Sequence, residues 1–288
     1  MAGHRISPEL PAHLERLYGA FPYDRSLDQD PLGVIRPWVT DLRSAESLGI
    51  LASVLAIGTT ASIRRSIERV RSIGGGSPNA LTERESAGRI ARDLRGFRHR
   101  WIRGDQIGYL LSRLTELAEA GSTLEAVFAE GFERGGFAEG LDGLARRLRG
   151  PEGDRTPRGY RELFPSPLDR SHSACKRLTL FVRWMRRTGY PDLGQWRRVP
   201  TGELRIPLDL HVYWIAYHLG LTRRRTRTWA TVEEVTEALR RIDPVDPVRF
   251  DFVLCHTGIS GDCPKRRDLS VCGPCAVRPD CRLWRGAR

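Results

Sequence analysis

The chain has 288 residues, enough for one large domain or two ordinary ones. Hydrophobic residues make up 40% and charged residues 28%, which excludes a disordered, collagenous or coiled-coil chain, and the longest apolar stretch, near residues 50–57, is far short of a membrane span. The N-terminus, MAGHRISPEL, lacks the apolar core of a signal peptide, so a cytoplasmic protein is expected, and the net charge of +12 points to a polyanionic partner, nucleic acid first.

The predicted elements are nearly all helical. Ser7-Pro8 reads as an N-cap with Pro at the first helical position, opening a helix to about Tyr18. Helical spacing of apolar residues follows over 42–57 and 62–73, and the run Gly74-Gly75-Gly76-Ser77-Pro78 breaks the second. Further helices are predicted over 85–94, 105–120, 123–130 and 137–148, with no period-2 strand and no fixed-period repeat. The stretch GPEGDRTPRGY, 150–160, reads as a linker. Beyond it come an amphipathic helix over 175–187, further helical segments over 206–220, 231–242 and 247–255, and then a cysteine-rich tail.

Two residue types are unevenly used. The chain has only two lysines, Lys176 and Lys265, among 47 basic residues. Arg can replace Lys as a cation but cannot form an imine, so a retained Lys is informative. Of six cysteines, only Cys175 precedes residue 250. Cys263, Cys272, Cys275 and Cys281 form a four-thiolate pattern that suits either zinc or an iron–sulfur cluster, and spacing does not choose between them. Cys255, in the apolar run FDFVLC, reads as a core thiol. From Cys263 onward seven basic residues face two acids, and Lys265, Arg266 and Arg267 are candidate phosphate contacts. Arg223, Arg224 and Arg225 form a second cationic turn.

The segment IPLDLHVYWIA, 206–216, resembles the one that carries the catalytic aspartate in 8-oxoguanine DNA glycosylases of the helix-hairpin-helix superfamily. The resemblance puts Asp209 in the carboxylate position and His211 beside it as an assisting residue. Cys175-Lys176-Arg177 opens a helix as the Schiff-base lysine does in bifunctional members, and the 33-residue separation of Lys176 and Asp209 is closest to the archaeal type. The tail resembles the [4Fe–4S] loop of endonuclease III, with gaps of eight, two and five residues where six, two and five is usual. The combination resembles a bacterial subfamily. The usual Pro-Gly hairpin is replaced by SPLDRSHS, 166–173, where His172 is a candidate phosphate contact together with Arg177.

The resemblance implies an all-α, two-lobed helix-hairpin-helix glycosylase fold with a C-terminal four-cysteine cluster loop. The expected parts are an N-terminal helical lobe, 1–150, a lobe carrying Lys176 and Asp209, 151–258, and the cluster loop, 259–288. It implies a monomeric, nucleoid-associated base-excision-repair enzyme that removes 8-oxoguanine from double-stranded DNA and cleaves the strand, with a [4Fe–4S] cluster rather than zinc as cofactor. A glycosylase for oxidised pyrimidines and a non-catalytic DNA-binding protein with a structural cluster are the alternatives. A flipped base needs aromatic walls, for which Trp38, Phe97, Trp101, Trp184 and Trp214 are candidates. Taken singly, Asp209 reads as a helix cap and Lys176 as a surface charge; taken together with the cysteine tail they read as a catalytic pair.

Overall fold

The computed structural model describes residues 7–73, 77, 79–151 and 153–285. Residues 74–76 and 78 of the expected break, and Glu152 of the expected linker, lie outside them. The described elements are α1 (Leu10–Gly19), α2 (Tyr23–Leu27), α3 (Pro31–Ile35), α4 (Leu42–Leu55), α5 (Thr60–Ile73) and α6 (Arg84–Asp93), then a minimal antiparallel pair, β1 (Arg98–His99) and β2 (Ile102–Arg103). They continue with α7 (Gly104–Glu119), α8 (Leu124–Gly135), α9 (Phe137–Arg149), α10 (Lys176–Arg186), α11 (Leu210–Leu219), α12 (Trp229–Arg240), α13 (Asp251–Ile259) and α14 (Leu269–Cys272). Among the described residues the protein is all-α, as its periodicity predicts, apart from one pair of two-residue strands. No helix among the described residues is long and apolar enough to cross a membrane.

Local chemistry sets the helix starts. Asp30, Asp41 and Thr123 cap α3, α4 and α8 by accepting backbone N–H bonds from the first turn. The helix expected from residue 206 starts at Leu210 instead, because Ile206, Pro207 and Leu208 are buried outside the helix and Asp209 caps it. α11 ends where Gly220 takes the left-handed conformation, φ +80°.

The described residues fall into two compact units that are discontinuous in sequence. A central unit holds Tyr23–Ser171 and Arg177–Pro200; a C-terminal unit holds the residues up to Pro22, His172–Lys176 and those from Thr201 onward. This division is drawn at other positions than the boundaries at 150 and 258 that the resemblance implies.

The central unit is built around Trp196. Its ring lies 5.7 Å from Phe128 and 5.4 Å edge-on from Phe181, and its indole N–H donates to Glu46 at 2.9 Å. Glu46 also accepts the N–H groups of Leu124 and Glu125 at the start of α8, while burial pushes its carboxyl up to about 7. The C-terminal unit packs α11 on α13, with Phe250 and Phe252 of the α13 segment edge-on to Tyr18 and Phe21.

Candidate active site and four-cysteine cavity

Asp209 performs the cap expected of it: its Oδ1 accepts the N–H of Val212 at 2.7 Å. This fixes the carboxylate at the start of α11 and leaves Oδ2 for other work. Oδ2 accepts the Cys255 thiol of α13 at 3.4 Å. The core role expected for Cys255 is therefore corrected: the side chain is half-buried and it orients a carboxylate. His211, two residues on, packs against Gly258, where an added Cβ would stand 2.6 Å from the His211 Cβ. Its Nδ1 lies 3.4 Å from Lys265 Nζ. Lys265, expected to face phosphate, is half-buried and directs its amine to this imidazole.

Lys176 is the first residue of α10 and follows strained backbone. His172 (φ +49°) and Cys175 (φ +51°) are left-handed, a conformation that costs a non-glycine residue about 1–3 kcal/mol. Tertiary bonds hold them there. Ser173 forms an isolated bridge with Thr228, the Trp229 N–H donates to the His172 carbonyl at 3.1 Å, and the Cys175 N–H donates to Ser173 Oγ at 3.2 Å. Cys175 is fully buried. The loop thus sets the backbone at Lys176 within the same unit that carries Asp209; the division falls between Lys176 and Arg177. Arg177, a predicted DNA contact, stacks over the Trp101 ring at 5.2 Å, and burial lowers its guanidinium pKa.

Upstream, the stretch assigned to a hairpin departs from a helix-hairpin-helix pattern. It follows a 3-10 turn, Arg161–Leu163, rather than an α-helix, since Pro165 and Pro167 cannot donate to one. Asp169, gripped by Arg149, accepts the Ser166 N–H at 2.9 Å and closes the turn. His172 is exposed.

Cys263, Cys272, Cys275 and Cys281 line one cavity in the C-terminal unit, with His218 and Lys265. Cys255 is absent from that lining, which separates it from the other four. Burial pushes the Cys263, Cys275 and Cys281 thiols up, and their mutual proximity adds to the rise. Four cysteine sulfurs around one cavity are a donor set whose chemistry suits a metal cluster. Among the described residues no group of three or more His, Cys, Asp or Glu is arranged to hold a single metal ion. Beneath the loop, buried Asp280 binds His13 and, at 3.1 Å, Arg285.

The remaining candidates divide by exposure. Arg223, Arg225, Arg266 and Arg267 are exposed, and Arg224 is exposed but paired with Glu234 at 3.0 Å. Of the aromatic candidates, Trp184 and Phe97 are core, whereas Trp101 is 41% exposed. Trp38 lies beneath Arg71 at 3.6 Å, and Trp214 lies beside His218. His256, buried and stacked 4.2 Å from Phe252, is structural. His218 escaped the sequence reading. Its signal was its position seven residues after His211, the same helical face two turns on.

Residues 30–260 match the family described as "Protein of unknown function (DUF2400)", and the chain belongs to that family. No curated protein and no solved structure matches the chain.

Proposed function

We propose that this protein is a base-excision-repair DNA glycosylase with AP lyase activity, acting on duplex DNA that contains 8-oxoguanine or a related damaged base. The observation that carries the reading is the joint placement of Lys176 and Asp209: distant in sequence, they share one unit, and each stands at the start of a helix on fixed backbone. The helix-hairpin-helix glycosylase fold belongs to the same proposal.

In this mechanism the neutral Lys176 amine attacks C1′ of the flipped nucleotide. The glycosidic bond breaks, and its electron pair and a proton leave with the base. Positive charge develops on the sugar as that bond stretches. The Asp209 carboxylate, held by Val212 and Cys255, stabilises that charge. The sugar ring opens to an iminium on Lys176. Loss of a C2′ proton then expels the 3′ phosphate, and water returns the free lysine. When bound, a [4Fe–4S] cluster on Cys263, Cys272, Cys275 and Cys281 would supply a structural anchor for the loop that presents Arg266 and Arg267 to phosphate.

The reading is tested with duplexes that each carry one lesion, either 8-oxoguanine or an oxidised pyrimidine, by measuring base release and strand nicking. Release with nicking from the 8-oxoguanine duplex is expected, and Asp209→Asn, which keeps a capping side chain, should lower release at least about a hundredfold. Cleavage confined to the pyrimidine lesion reassigns the substrate. Binding of duplex without release of any base overturns the enzyme reading in favour of a DNA-binding protein.

A further inference from the structure

We propose that His218 donates an Nε2–H hydrogen bond to a sulfur of the cluster held by the four cysteines and so raises its reduction potential; the inference rests on the cluster reading above. The His218 ring lines the same cavity as Cys263, Cys272, Cys275 and Cys281. Its residue is 8% exposed, and its Nε2 is buried with no hydrogen-bond partner among the described residues. Leaving a buried ring nitrogen unpaired is costly, so it marks a partner that the described residues do not supply.

The surroundings narrow the choice of partner. Thiolate and inorganic sulfide are the acceptors that such a cluster brings to this cavity. One contact holds the ring and another holds the backbone of His218. The ring lies 5.8 Å from the Trp214 ring in a near-parallel stack, and the His218 carbonyl accepts the Arg282 N–H at 2.7 Å, one residue beyond Cys281. The backbone of the helix and the last cysteine of the loop are therefore tied at the residue whose nitrogen is unpaired. A hydrogen bond to cluster sulfur stabilises the more electron-rich state, which raises the potential.

The test compares wild-type holoprotein with His218→Leu and His218→Gln. Iron, zinc and acid-labile sulfide are measured per chain, together with the reduction potential of the bound cluster. The proposal expects a lower potential in His218→Leu at wild-type iron and sulfide content, restored in large part by His218→Gln, which keeps an N–H donor. Loss of the cluster from His218→Leu but not from His218→Gln also supports it. A His218→Leu protein with full iron and sulfide and the wild-type potential overturns it. A wild-type protein that carries zinc, or neither iron nor sulfide, overturns instead the cluster reading on which it depends.

Discussion

Asp209 caps a helix, and the proposed function gives the same carboxylate a second role at the reaction centre. The structure makes these compatible, because Oδ1 takes the Val212 N–H and Oδ2 takes the Cys255 thiol. Cys255 is then a positioning residue. Removing it in Cys255→Ala deletes a hydrogen bond worth about 0.5–1.5 kcal/mol, so base release should fall about two- to tenfold with duplex affinity unchanged. Cys255→Ser keeps a donor and should retain most of the rate. An unchanged rate in the alanine variant would remove Cys255 from the account. Neither this contact nor that of Lys265 with His211 was legible in the sequence, since both arise only when α13 and the cysteine loop fold back on α11. The four cysteines were legible, because the thiols of a local loop reveal themselves by spacing.

At the scale of elements, the long amphipathic helices α4, α5, α7, α9 and α10 follow the 3.6-residue period and fall within a few residues of their expected bounds. α2 and α3, five residues each, and the two-residue strands are too short for any period to register. The start of α11 was misplaced for a chemical reason. Apolar Ile206, Pro207 and Leu208 extend the hydrophobic pattern, yet they are buried outside the helix, which waits for its cap. The packing of α11 on α13 depends on one glycine. An alanine at 258 would drive a Cβ into the His211 side chain, 2.6 Å from its Cβ. Gly258→Ala should therefore destabilise the protein by about 1–3 kcal/mol, read as a lower midpoint of denaturant unfolding. A midpoint equal to wild type would mean that the two helices separate freely at this point.

For the molecule as a whole, charge, arginine usage and the crowding of cysteines at one end were readable from composition; the discontinuous units were not. A five-residue segment, His172–Lys176, joins the C-terminal unit while its flanking residues belong to the central one. No composition shift marks such a boundary, because it is set by the left-handed residues 172 and 175 and by the pairing of Ser173 with Thr228. That segment ends in one of the two lysines of an arginine-rich chain, the residue whose amine the proposed function makes the nucleophile. The most direct measurement is borohydride reduction of the protein mixed with a duplex containing a single 8-oxoguanine, followed by isolation of any covalent protein–DNA adduct and mapping of the modified residue. An adduct on Lys176 is expected, lost in Lys176→Gln and kept in Lys265→Gln. Base release without an adduct, or an adduct that survives Lys176→Gln, would contradict the proposed role of Lys176.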